Sequence, residues 1–212
     1  MIYLLRHGET DANAKGICAG VTEYSLNERG ISQAKETNAF LLEKTKRFNR
    51  VFCSPSDRAL QTMLFATRDI EKNTAQVTSK LKELHFGVAE NEKWEDTMSR
   101  YPEIYKEVLT NPTPETRYPG GESIGELTDR CLAFLEEIND VEGENILIVS
   151  HGATIKMLAA LLTEKKFKDF NYVDNCSLSI IGKGVFEYNF KEHLSDVQTV
   201  QKEINRALST VN

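Results

Sequence analysis

Apolar positions along the chain fall into two rhythms. Short, β-rich runs occur at Ile2 to Leu5, Val51 to Cys53 and Ile146 to Val149, and again at Leu178 to Ile181 and Val185 to Tyr188. Their length and branched side chains predict strands, and Gly182 with Gly184 between the last two predicts a hairpin. Between these runs apolar residues recur at helical spacing. One series is Ile31, Ala34, Leu41 and Leu42, and a second is Ala59, Met63, Ala66 and Ile70. A third is Ile124, Leu127, Cys131, Leu135 and Ile138, and a fourth is Ile155, Leu158, Ala159 and Leu162. Strands alternating with helices predict an α/β fold: a three-layer sandwich whose mainly parallel sheet carries helices on both faces.

Residues 86 to 121 break the rhythm. They are rich in charge and hold Pro102, Pro112, Pro114 and Pro119, every proline of the chain except Pro55. Such a stretch predicts a small inserted cap, helical from Trp94 to Val108. From Ser195 onward, Val197, Val200, Ile204, Leu208 and Val211 repeat as on one helix face, so a terminal helix over about 195–212 is expected. That helix could dock on its own domain or join two copies in a homodimer. The whole of 1–212 reads as one catalytic domain with an insertion.

Composition narrows the partners. Apolar residues make up 40% and charged residues 27%, ordinary for a chain with a packed core. A net charge of -6 argues against nucleic acid or an acidic membrane surface as partner, because both require a positive excess. An anionic substrate must then be held by a local cluster of cations. Cys18, Cys53, Cys131 and Cys176 lie far apart, with no CxxC pair, and read as buried thiols. The N-terminal apolar run is too short for a signal peptide, and no run approaches the roughly 18 residues of a membrane span. A cytoplasmic location follows as the expectation.

Candidate chemistry sits where strands end. In an open α/β sheet, ligands bind beyond the carboxyl ends of the strands. The first strand empties into Arg6, His7 and Gly8. The second runs into SPSDRALQT, with Arg58 near a helix start, and the third into Ser150, His151 and Gly152 ahead of another helix. Two His-Gly pairs thus leave strands toward one sheet edge. Their glycines permit close backbone approach to a ligand, and the helix start after His151 offers N–H groups to an anion. A metal site built on His7, Glu9 and His151 is disfavoured by the neighbouring Arg6 and Arg58, which would repel a dication. No cofactor-binding glycine motif follows a strand.

Taken in order, RHGET at Arg6 to Thr10, Asn13, SPSDRALQT around Arg58, LKELHFG with Glu83, PGGES at Pro119 to Ser123 and VSHGATIK around His151 resemble the histidine phosphatase superfamily. The likeness spans about residues 1 to 194 and is greatest for the small phosphatase branch that includes alpha-ribazole phosphatase, related to cofactor-dependent phosphoglycerate mutase.

The resemblance implies hydrolysis of a small phosphomonoester through a phosphohistidine, without metal or other cofactor. His7 would be the nucleophile, Glu83 the general acid and then base, and Arg6, Arg58 and His151 the groups around the phosphate. Asn13 and Gly152 would add phosphate contacts, with Ser54 and the backbone after His151 as further contributors.

Alpha-ribazole 5'-phosphate and phosphosugars are candidate substrates, selected by cap residues such as Trp94, Arg100, Tyr101 and Arg117. Two alternatives stand beside hydrolysis. One is a phosphoglycerate mutase, whose longer basic insertion has no match here; the other is a binding module that kept the fold and lost turnover. The chain departs from the family pattern in two places. Ala19 precedes Gly20 where a basic residue is usual, with Glu23 and Ser25 for an aspartate and a proline, and Glu90 with Asn91 follows the Phe-Gly pair.

Overall fold

The computed structural model describes residues 1–195 except 46, 73–74 and 139–142, so the expected terminal helix lies outside the described residues apart from Ser195. The chain opens with strand β1 (Ile2–Arg6), a one-turn helix α1 (Asp11–Ala14) and the long helix α2 (Glu28–Lys44). Then come β2 (Arg47–Phe48), β3 (Arg50–Cys53), α3 (Asp57–Ala66), β4 (Glu71–Lys72) and β5 (Gln76–Val77). The cap carries α4 (Trp94–Arg100) and α5 (Pro102–Thr110). After it follow α6 (Ile124–Glu137), β6 (Ile146–Ser150), α7 (Gly152–Leu162), β7 (Leu178–Gly182) and β8 (Val185–Phe190).

Six strands form one sheet in the order β5, β3, β6, β1, β7, β8. The first four run parallel, while β7 is antiparallel to both β1 and β8 and forms the predicted hairpin with β8. β1 is therefore central, paired along its length with β6 on one side and β7 on the other.

Alternation along the strands divides the core. Ile2, Leu4, Phe52, Ile146 and Ile148 pack with Leu127, Phe134, Ile155 and Leu158 of α6 and α7. Tyr3, Leu5, Val51, Cys53, Leu147 and Val149 pack on the opposite face with Leu41, Ala59 and Ala66 of α2 and α3. This is the three-layer arrangement that the pattern predicts, since successive strand residues point to opposite faces. Each fully buried leucine or isoleucine on β1 and β6 contributes about 1.5–3 kcal/mol relative to exposure, so the strand ends are anchored firmly.

The helix expected from Trp94 to Val108 is two helices. Tyr101, at φ -132° and ψ 57°, separates them because it precedes Pro102, whose ring excludes the helical conformation from the residue before it. Proline then serves as the first residue of α5, where its missing N–H costs nothing. The two-residue strands β2, β4 and β5 are too short to leave any periodicity in the sequence. All four cysteines are buried thiols.

Candidate active site

The end of β1 remains inside the sheet. The amide of His7 donates to the Ser150 carbonyl (3.0 Å), and the His7 carbonyl accepts from the amide of Cys176 (3.2 Å) and from Asn175 Nδ2 (3.1 Å). Next, the Gly8 amide donates to Thr62 Oγ1 of α3 (2.9 Å). The turn then presses backbone to backbone on the start of α2. A Cβ on Gly30 would lie 2.1 Å from the Glu9 carbonyl oxygen, and one on Gly8 2.6 Å from that of Gly30, so both positions admit only glycine. The Glu9 carboxylate is taken up by Asn27 Nδ2 (2.9 Å) and Arg29 Nη1 (3.0 Å). Among the described residues no group of three or more His, Cys, Asp or Glu side chains could hold a metal ion.

His7 and His151 meet edge to face, with ring centroids 5.1 Å apart. His7 Nδ1 lies 2.7 Å from the Gly8 carbonyl oxygen. A carbonyl only accepts, so Nδ1 carries the proton and the lone pair is on Nε2. His151 stands at the N-cap position of α7 and its Nε2 is 2.7 Å from Ser54 Oγ, while its Nδ1 is buried without a hydrogen bond among the described residues.

Burial, reinforced by Arg58 and then Arg6, holds the His7 pKa well below 6.5. His151 is pushed the same way by burial and then by Arg58, His7 and Arg6. Both rings are neutral at neutral pH.

Folded, these two histidines refuse protons that the unfolded chain accepts below about pH 6.5. Their burial costs the fold nothing in protons above that value and destabilises it increasingly as pH falls below it. Between about pH 6.5 and 5 the unfolding free energy should fall with a slope approaching about 1.4 kcal/mol per pH unit for each ring. Urea unfolding across that range checks this. His7→Ala should flatten the slope by one proton, and an unchanged slope would contradict the neutral assignment.

Arg6 and Arg58 flank the pair, 8% and 1% exposed. Neither pairs with a carboxylate at salt-bridge distance among the described residues. Arg6 Nη1 donates to the Val173 carbonyl (2.5 Å), and Arg58 Nη1 and Nη2 donate to the carbonyls of Thr22 (2.8 Å) and Gly20 (2.6 Å). The Nε of each is buried and makes no hydrogen bond among the described residues. Burying an ion without a counter-ion costs several kcal/mol. Both guanidiniums act on the two rings and keep donors without an acceptor among the described residues. Burial, the leading influence, lowers the pKa of both arginines, and Glu83 opposes it by raising them.

Glu83 sits at the start of α7. Its Oε1 accepts from the amides of Leu84 (2.9 Å), Ala153 (3.1 Å) and Thr154 (3.3 Å), and its Oε2 lies 3.3 Å from the Ala153 amide. The hydroxyls of Ser150 and Thr154 fix this segment by donating to the carbonyls of Leu81 (2.8 Å) and Lys82 (2.6 Å).

This corrects one expectation. The N–H groups of Ala153 and Thr154 do not stand open for a substrate, because the Glu83 carboxyl group occupies them. Gly152 is buried, and a Cβ there would lie 3.2 Å from the Tyr172 ring and 3.5 Å from Glu83 Oε2.

Asn13 closes the turn after Thr10. Its Oδ1 accepts from the Thr10 amide (3.1 Å), Thr10 Oγ1 (3.0 Å) and Asn175 Nδ2 (3.2 Å), which leaves Nδ2 as its donor toward a ligand.

The cap residues expected to select substrate make surface ion pairs and ring contacts. Arg100 pairs with Glu92 (3.7 Å) and Arg117 with Glu126 (3.2 Å), and Trp94 and Tyr101 stack edge to face on Phe86 and Tyr118. Tyr172, Asn175 and Thr62 were not anticipated as site residues. Two of them left a trace in the sequence: Thr62 ends the SPSDRALQT motif, and Asn175 lies in the Asn-Cys-Ser run just before β7.

Fold and pocket together define a class: an α/β protein that gathers buried cations around a neutral imidazole at the carboxyl end of its central strand. A model of the histidine phosphatase superfamily (branch 1) matches residues 2–191. The chain is 33% identical over 158 residues to phosphoglycerate mutase-like protein 4 of Arabidopsis thaliana, covering 74% of this chain and 68% of that one. It is 32% identical over 166 residues to the adenosylcobalamin/alpha-ribazole phosphatase of Salmonella typhimurium, covering 76% and 78%. The crystal structure of the alpha-ribazole phosphatase from Shigella flexneri is similar with a TM-score of 0.74 at 26% identity, over 93% of this chain and 99% of that one. The chain belongs to the histidine phosphatase superfamily. No helix among the described residues is long and apolar enough to cross a membrane.

Proposed function

We propose that the protein hydrolyses small phosphomonoesters through a phosphohistidine on His7 Nε2. The observation that supports this most is the pairing of a neutral His7, its Nδ1–H tied to the Gly8 carbonyl, with two buried guanidiniums whose Nε groups have no partner among the described residues. A phosphate dianion supplies acceptors for those donors.

In the first step Nε2 bonds to phosphorus as the ester P–O bond breaks, and the departing alkoxide takes a proton from Glu83, which must enter this step as the carboxylic acid and leaves it as the carboxylate. The positive charge that develops on the imidazole is shared with the Nδ1–H···O bond. In the second step Glu83 removes a proton from water, the new P–O bond forms, and the P–N bond breaks to return its electron pair to Nε2. Arg6 and Arg58 neutralise the equatorial oxygens throughout, which is the role a dication takes in other phosphatases. His151 and Asn13 Nδ2 complete the phosphate contacts.

The substrate is a phosphorylated metabolite small enough to pass the cap. Alpha-ribazole 5'-phosphate and phosphosugars lead the list, the former because relatives carry that activity in their names.

Release of inorganic phosphate from para-nitrophenyl phosphate and from a metabolite panel, in EDTA, tests the reading. Turnover undiminished by the chelator is expected. A panel that includes 3-phosphoglycerate with catalytic 2,3-bisphosphoglycerate separates the mutase: 2-phosphoglycerate formed without free phosphate would overturn hydrolysis.

A further inference from the structure

The two stretches where the chain departs from its family pattern lie far apart in sequence and meet in space. Thr22 Oγ1 donates to Glu90 Oε2 (2.9 Å), Asn91 Nδ2 donates to Thr22 Oγ1 (3.4 Å), and Tyr24 donates to Asn91 Oδ1 (2.8 Å). The main chains are joined as well. The amide of Cys18 donates to the Glu92 carbonyl (2.9 Å), that of Asn91 to the Cys18 carbonyl (2.8 Å), and that of Trp94 to the Gly16 carbonyl (2.9 Å). The loop after α1 is thus fastened to the first segment of the cap.

One peptide group in this loop has a particular position. The Gly20 carbonyl accepts from Arg58 Nη2 (2.6 Å), and the N–H of the same peptide unit, on Val21, donates to Glu90 Oε1 (3.0 Å). A carboxylate therefore holds one edge of a rigid plane whose opposite edge holds the guanidinium. Charge at each end polarises the peptide between them and strengthens both bonds. Thr22 repeats the arrangement, its hydroxyl on Glu90 and its carbonyl on Arg58 Nη1 (2.8 Å). Glu90 is itself fixed by the amide of Phe86 (3.0 Å). A Cβ on Gly20, whose φ is +51°, would lie 2.0 Å from Glu90 Oε1, so the plane reaches the carboxylate only because residue 20 is glycine.

We propose that Glu90 is a positioning residue that orients the Arg58 guanidinium toward the phosphate, acting through the Gly20–Val21 peptide and Thr22. The proposal rests on the phosphatase reading above. It ties the cap segment that carries Glu90 to the charge that stabilises the transition state. A guanidinium with both Nη groups fixed presents its remaining N–H groups in one direction. Without Glu90 the loop carbonyls shift, and Arg58 loses aim while keeping its charge.

The test is a double-mutant cycle on Glu90→Ala and Arg58→Ala, read as kcat/KM for para-nitrophenyl phosphate and as the inhibition constant of orthovanadate. Glu90→Ala alone should lower kcat/KM by about 10-fold to 100-fold and weaken vanadate in parallel. In the Arg58→Ala background the same change should cost less than about 2-fold, because the group it orients is gone. Glu90→Gln, which keeps the acceptor for Val21 and Phe86, should recover most of the loss, and it replaces Glu90→Ala in the cycle if the alanine variant does not fold. Additive losses would overturn the proposal, since they mean that Glu90 acts on the cap or on stability without reaching Arg58. An Arg58→Ala enzyme as active as the parent would instead remove the phosphatase reading of Arg58.

Discussion

His7→Ala is expected to lower kcat/KM for para-nitrophenyl phosphate on the order of 10⁴-fold or more, with no loss of thermal stability. The size of the effect follows from the role: without Nε2 no covalent intermediate forms, and water must attack an ester that the pocket was not arranged to present to it. Stability should hold because the folded chain gains little from this ring. Its Nδ1 bond to Gly8 is local, and its burial beside Arg58 and Arg6 is unfavourable to any proton it might take. The parent and variant are compared by steady-state kinetics and thermal unfolding. A loss below about tenfold would remove His7 as nucleophile.

Glu83→Gln gives the second large effect, and it depends on the leaving group. An alkyl oxygen departs only as it gains a proton, so kcat/KM for a sugar phosphate should fall about 10²-fold to 10⁴-fold. A dinitrophenolate departs unaided, and its kcat/KM, which reports only steps up to formation of the phosphoenzyme, should change by less than about tenfold. The second step still needs a base, so phosphoenzyme should accumulate in the variant with the activated ester. Gln retains an oxygen for the amides of Leu84, Ala153 and Thr154, which keeps the segment in place. Equal losses on both esters would deny Glu83 the acid role.

The parts of this site legible in the sequence are those that leave a strand at once. Arg6, His7 and His151 follow apolar runs within one or two residues, and Arg58 stands in the first turn of the helix that follows another, so the pattern of strands alone brings them to one sheet edge. Glu83 is different: no periodicity marks it, and only the family likeness selects it from its acidic neighbours. What holds it is the start of α7, some seventy residues later, which is also why those N–H groups could not be anticipated as occupied.

The same distance hides the contact of Gly8 with Gly30 and of Gly20 with Glu90, where a missing Cβ acquires meaning only from the partner that fills its place. In the fold, alternating strands and helices announced three layers. The placement of β1 between β6 and β7 is a matter of pairing, which the hydrophobic pattern does not encode. The division of the cap helix at Tyr101 was available locally, from the proline that follows it.

Rapid acid-free quenching of the parent enzyme with ³²P-labelled substrate, followed by peptide mapping, tests the central claim most directly. Label that is stable to alkali, labile to acid and located on His7, absent from His7→Ala, is the predicted result. Turnover that proceeds with no labelled protein, together with inversion of configuration at a chiral phosphorus, would contradict it.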